Sequence, residues 1–254
     1  MKPTISLSTN ISLLNNSINA LKKDPILLAP YLLFCLTNTF FLPFLIPTTT
    51  ETLTITTTHY IYFIISAIIQ SLVGCLLIFG ILNFKKEDIN IPLCVSLFSK
   101  HLKKCTALSI IVNLPLTLML YFILNIHQSQ LLYASAFITN SLLFIFIIFI
   151  AFIFIPFSTF SHFIYISFCH QPKNIIMTIF KQLQFCFNHY KLCIKWFSVI
   201  VILNLIQLLT ILITNNWAIQ EFLNATIQAL ILTLTMVYST YFYKHINQQI
   251  KSKP

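Results

Sequence analysis

All 15 lysines of this chain lie on one side of six apolar stretches, and the three loops on the other side contain none. The stretches fall at about residues 25–47, 61–83, 105–126, 134–156, 192–214 and 222–243. Each is long enough to cross a hydrocarbon core of roughly 30 Å, which takes about 20 helical residues. Lys22 and Lys23 precede the first, Lys85 and Lys86 follow the second, and Lys100, Lys103 and Lys104 precede the third. Lys173, Lys181, Lys191 and Lys195 lie between the fourth and fifth, and Lys244, Lys251 and Lys253 follow the sixth. The lysine-free loops are 48–60, 127–133 and 215–221. Basic residues concentrate in cytoplasmic loops, so both termini are expected in the cytoplasm.

Composition excludes the main alternative, a water-soluble globule. Hydrophobic residues make up 57% of the chain and charged residues only 8%, where a soluble domain carries about a quarter. Backbone groups in lipid must be satisfied internally, and the alternation of a membrane β-strand is missing, so the spans must be helices. The expected fold class is therefore an all-α integral membrane protein with six transmembrane helices, forming a single domain over 1–254 in a bacterial inner (cytoplasmic) membrane. The net charge of +10 would suggest nucleic acid in a soluble protein. Here the lysines flank apolar spans, which points instead to anionic lipid at the cytoplasmic face. No nucleic-acid motif accompanies them.

Amphipathic stretches precede three of the spans, at about 5–22, 91–104 and 172–190. In the first, Leu7, Ile11, Leu14, Ile18 and Leu21 recur every three or four residues among Ser and Asn. In the third, Ile175, Ile176, Ile179, Phe180, Leu183 and Phe187 form one face, opposite Thr178, Lys181, Gln182, Asn188 and His189. Such patterns predict helices lying at the interface. The layout suggests three repeats of an interfacial helix followed by a membrane hairpin. Asp24 and Pro25 form a good helix start, with a capping carboxylate and a proline in the first turn. Pro92 is well placed to begin another helix, and Pro30, Pro115 and Pro156 are expected to kink spans. The uncharged run 131–169 is too long for one straight crossing, so the part beyond Pro156 is expected along the inner interface or in the cytoplasm. Tyr60, Tyr62, Tyr133 and Trp217 are expected as outer aromatic anchors, and Tyr190, Trp196, Tyr241 and Tyr243 as inner ones.

The inventory for chemistry is sparse. The five acidic residues Asp24, Glu51, Glu87, Asp88 and Glu221 sit in loops or at span ends, so no mid-span carboxylate is available for ion coupling. There is no HExxH and no Gly-flanked nucleophile, and two glycines cannot build a phosphate loop. Arginine is absent, which removes bidentate clamps on phosphate. No enzyme, catalytic residue or cofactor is expected. Cys186, His189 and Cys193, with His162, Cys169 and His170 nearby, could share a face and bind a soft metal. Apolar neighbours and an unrecognised spacing favour packing instead, and no metal site is assigned. Seven cysteines, none in an outer loop, give no disulfide framework. The polar mid-membrane candidates are Asn38, Gln70, Asn113, Asn140, Asn204, Gln207 and Gln228, which either line a path or join helices by hydrogen bonds. The lipid-facing basic candidates are Lys22, Lys23, Lys85, Lys86, Lys103, Lys104, Lys191 and Lys195.

Three segments carry a resemblance: "NALKKDPILLAPYLLFCL", "HFIYISFCHQPKNIIMTIFKQLQFCFNHYKLCIKWF" and "FLNATIQALILTLTMVYSTYFYKHINQQ". In hydropathy and punctuation they resemble an uncharacterised bacterial six-span inner-membrane family, related to the membrane domain fused to some glycerophosphodiester phosphodiesterases. The resemblance implies a six-span fold but no catalytic residues, because the soluble phosphodiesterase domain has no counterpart here. The expected function is a non-enzymatic envelope or membrane-homeostasis helper that engages anionic lipid or a membrane partner. The alternative is a small permease or lipid translocator.

Overall fold

A computed structural model of the chain describes residues 6–45, 57–82, 91–131, 160–172, 174–211 and 217–251. All regular structure among them is helical. Helix α1 (Leu7–Lys23) is followed by a 3-10 turn (Pro25–Leu28), α2 (Ala29–Leu45), α3 (Thr57–Leu82) and α4 (Ile91–Leu131). Then come α5 (160–170), α6 (Ile175–Asn188), α7 (Tyr190–Ile211) and α8 (Trp217–Lys251).

Local chemistry accounts for the boundaries. The Thr9 N–H donates to Ser6 Oγ at 3.1 Å and caps α1, and the Ile176 N–H donates to Asn174 Oδ1 at 3.0 Å and caps α6. Asp24 behaves differently from expectation. Its carboxylate makes no capping bond. Its backbone N–H instead donates to Ala20 O at 2.9 Å and closes α1, while Pro25 opens the next turn as predicted. Pro30 then falls in the first turn of α2, where a missing N–H costs nothing, so it does not kink a span interior. Helix α4 begins at the Pro92 turn and continues through Pro115, joining the second amphipathic stretch to the span after it as one helix. Between α6 and α7 the chain instead turns by 93°.

Helix α8 is the hub, packing against α1, α2, α3 and α7, while α3 packs along α4. A ring cluster centred on Phe163 of α5 ties the Lys-bearing half together. Its centroid lies 5.3 Å from Trp196, 5.9 Å from Phe185 and Tyr243, and 6.0 Å from Phe242. Helix α5 is thus part of the protein core. Phe163, Ile164, Tyr165, Ile166 and Phe168 are all buried, because a helix without a charged residue gains more by packing than by facing headgroups. Trp196 and Tyr243, expected as anchors, are buried too. The Trp196 indole N–H donates to Ser239 Oγ at 2.9 Å, and Gln182 Nε2 donates to the Tyr243 hydroxyl at 3.1 Å. Tyr190 is exposed.

Small polar groups face inward and large apolar ones outward. Ser71, Ser109, Thr233, Thr235, Ser239 and Thr240 are buried, whereas Leu33, Ile61, Ile65, Ile69, Ile202 and Leu205 are exposed. A water-facing surface would reverse this order, and a lipid-facing one permits it. Ser71, Thr233, Ser239 and Thr240 donate to a carbonyl one turn back in their own helix, as Thr233 does to Ala229 O at 2.8 Å. Two helices among the described residues are long and apolar enough to cross a membrane, Ile61–Leu82 and Gln220–Gln249, and the bent pair α6–α7 would be a third. Pro25–Phe40 is apolar but shorter. This is fewer than the six spans expected. The fourth predicted stretch, 134–156, lies outside the described residues, as do Pro156 and Tyr133.

Candidate functional site

Among the described residues the mid-span amides do not converge on one path. Asn113 of α4 is the best connected: its Nδ2 donates to Ser71 Oγ at 2.8 Å, to the Tyr165 hydroxyl at 3.2 Å and to Ala67 O at 3.4 Å. It thereby links α4 to α3 and α5. Asn38 of α2 donates to Ser66 Oγ at 3.3 Å and accepts from the Tyr62 hydroxyl, linking α2 to α3. Asn204 bonds within its own helix, to Ile200 O at 2.7 Å. Gln70 and Gln228 are half-buried on separate helices. Gln207 lies on α7 without a described side chain, and Asn140 lies outside the described residues.

Five of the cysteines pack in two groups, Cys75 with Cys105 and Cys169, and Cys186 with Cys193. All seven are buried free thiols. Cys193 Sγ lies 3.9 Å from Cys186 O across the α6–α7 bend, and the His189 ring packs on Phe185 at 4.9 Å. Cys169 Sγ lies 3.9 Å from Cys75 O, joining α5 to α3. Among the described residues no three His, Cys, Asp or Glu side chains gather as a metal site requires.

Chemistry concentrates instead at the Lys-bearing side. Lys22, Lys23, Lys103, Lys104, Lys191 and Lys195 are exposed there, while Lys85 and Lys86 lie outside the described residues. Helix α1 crosses α8 on a stripe of Asn10, Leu13, Ser17 and Leu21, all buried. The fully buried Ser17 keeps the two helices close, its hydroxyl turned back to Leu13 O at 2.8 Å. The Tyr238 hydroxyl reaches Asn10 Oδ1 at 3.5 Å. Beside this seam the helices splay into a cavity of about 510 Å³. Asn16, Asn19 and Lys23 of α1 line one wall, and Lys244, His245 and Gln248 of α8 line the other. Every one of these six side chains can donate a hydrogen bond, two of them are lysines, and Leu13, Ala20 and Tyr241 complete a lining without a carboxylate. Lys244 is held in place by its bond to Ile81 O, 3.3 Å away in the last turn of α3, where the helix dipole is negative. His245 is oriented by Gln249, 3.0 Å from its Nε2.

No relative positions this cavity. The chain matches no family model, no curated protein and no solved structure. Its reading therefore rests on geometry and charge alone.

Of the six described basic candidates, Lys23 alone lines the cavity. The other members were hidden for a physical reason: they come from opposite ends of the chain, and only the α1–α8 crossing brings them together. A local signal did exist. Asn15, Asn16 and Asn19 form an amide stripe on an amphipathic helix, and Lys244, His245 and Gln248 repeat at spacings of one and three.

Proposed function

We propose that the chain is a multi-pass, non-enzymatic protein of the bacterial inner membrane, a membrane-homeostasis helper that engages anionic lipid from its cytoplasmic side. In this reading it has six spans, arranged as three units of an interfacial helix and a hairpin, with both termini in the cytoplasm. The observation that carries it is the α1–α8 cavity, where two lysines, a histidine and three amides gather without a carboxylate at the Lys-bearing side. The exposed apolar face of α6 supports it. Phe180 and Phe187 are 67% and 80% exposed, while Thr178, Gln182 and Cys186 turn toward the protein. A helix so arranged is covered only when its outer face dips among acyl chains, with Lys181 and Lys191 free to meet phosphates above.

A permease is the second class of function. The hydrogen bonds of Asn38 and Asn113 favour a structural role for the amides, since each is engaged with a neighbouring helix. The test of the lipid reading is thermal unfolding of the purified protein in vesicles of neutral lipid containing increasing fractions of anionic phospholipid. The midpoint should rise with the anionic fraction and fall with added salt, because surface attraction is screened within about 10 Å at 0.1 M. A midpoint indifferent to lipid charge would overturn the reading.

A further inference from the structure

Helices α6 and α7 meet at a bend of 93°, with His189 between them. In an unbroken helix, residues seven apart are separated by about 10.5 Å, at a rise of about 1.5 Å each. A disulfide cannot span that distance, since its Cα atoms lie within about 7 Å of one another. The bend closes the gap for one pair of side chains. Cys186 of α6 and Cys193 of α7 meet across it, with Cys193 Sγ 3.9 Å from Cys186 O and the two thiols in contact. The backbone of the joint turns on His189. Its N–H donates to Phe185 O at 2.9 Å, and its carbonyl accepts from the Leu192 and Cys193 N–H groups at 2.8 and 3.2 Å. Asn188, Tyr190 and Lys191 are exposed, so solvent reaches the joint beside the buried thiols.

We infer that Cys186 and Cys193 are a reversible disulfide pair that, when joined, locks the α6–α7 bend. Contact between the thiols exists only while the chain is bent, so a bond between them excludes the straighter conformers. The inference goes beyond the lipid reading and does not depend on it, because it needs only the two thiols and the angle. The oxidant is a peroxide. Cys186, the more exposed of the pair at 8% against 3%, attacks one peroxide oxygen. The O–O bond breaks, the thiol proton leaves with the departing hydroxide as water, and Cys186 becomes a sulfenic acid. Cys193 then attacks the Cys186 sulfur. The S–S bond forms, the S–O bond breaks, and the Cys193 proton leaves with the second hydroxide as water. Two thiols are oxidised by two electrons and one peroxide is reduced to two waters. A dithiol reverses the step by exchange. In the cytoplasm, where the proposed topology puts this joint, disulfides are transient and redox-sensing.

The experiment treats the full chain in neutral detergent with hydrogen peroxide, then alkylates it and digests it with trypsin without reduction. Lys181, Lys191 and Lys195 place the two thiols on separate peptides, 182–191 and 192–195. These peptides should appear joined in chains that stay monomeric, and separate again after dithiothreitol. Cys193→Ser should abolish the joined pair and leave a sulfenic acid on Cys186 that dimedone captures. Hydrogen exchange at the amides of 189–193 should slow several-fold on oxidation of the parent and stay unchanged in Cys193→Ser. Peroxide that joins Cys75 to Cys105 or Cys169 while leaving this pair reduced would overturn the inference. Sulfinic acid at Cys186 with no joined peptides, or joined peptides found only in dimers, would overturn it too. A disulfide that forms without slowing exchange would show that the bend is not locked.

Discussion

Gly74 sits where three helices come closest. A Cβ added there would lie 3.0 Å from the Tyr31 hydroxyl of α2 and 3.0 Å from Met236 Cε of α8. The methionine can swing away, but Tyr31 is fully buried and its hydroxyl points to Gln70 O at 3.5 Å. Gly74→Ala is therefore expected to lower stability by about 1–3 kcal/mol, the usual cost of overpacking a filled core. Gly80→Ala serves as the control and should change stability little, since its nearest neighbour leaves room for a methyl group. Thermal midpoints of the two variants in the same detergent check the pair; equal effects would mean that Gly74 is not a close-approach point. The scarcity of glycine hides this position in the sequence. With only two glycines no repeated small-residue motif forms, and one close approach between α2, α3 and α8 has to be seen in three dimensions.

Helix α4 carries a pH-sensitive element at its Lys-rich start. The His101 ring stacks on Phe79 of α3, centroids 5.9 Å apart and planes 18° from parallel. Loss of water around it, and then the charges of Lys100 and Lys104, hold its pKa below the ordinary value of 6.5. The folded state thus binds the proton less readily than the unfolded chain. Stability is complete above pH 6.5 and declines as pH falls from there through the lowered folded-state value. His101→Gln should remove that part of the decline while leaving the midpoint at pH 8 nearly unchanged, as read by thermal melts between pH 5 and pH 8. An identical pH profile for variant and parent would show that the stacked imidazole does not titrate in this window. At this scale the helices were legible in the sequence, and their orientation about their own axes was not. Hydrophobic periodicity identified α1 and α6, but in a bilayer the apolar face turns to lipid as readily as to protein. On α6 it is Thr178, Gln182 and Cys186 that pack inward, and on α1 the packed stripe runs through Asn10 and Ser17 while Ile11 is exposed. Trp196 looked like an anchor for the same reason: its partner, Ser239, is 43 residues away, and no local pattern announces that bond.

The molecule as a whole is built around α8, which contacts the first helix of the chain as well as α2, α3 and α7. That closure is what assembles the α1–α8 cavity. The sidedness of lysine, legible from the start, then becomes a statement about orientation that chemistry can test. All seven native cysteines are buried, so the natural background is nearly silent to a membrane-impermeant thiol reagent and needs no prior replacement. Single substitutions at exposed lysines, Lys22→Cys, Lys103→Cys and Lys195→Cys, should be unreactive in intact cells and react in inverted vesicles, as positive-inside placement requires. Asn38→Cys adds the mid-depth measurement. Its position between α2 and α3 is packed against Tyr62 and Ser66, so it should stay unlabelled from both sides if the amides join helices. Labelling of the three lysine positions from outside would invert the topology and move the cationic cavity away from the anionic leaflet. Labelling of Asn38→Cys with the topology intact would instead reveal a water path at mid-depth and raise the permease above the lipid-binding helper.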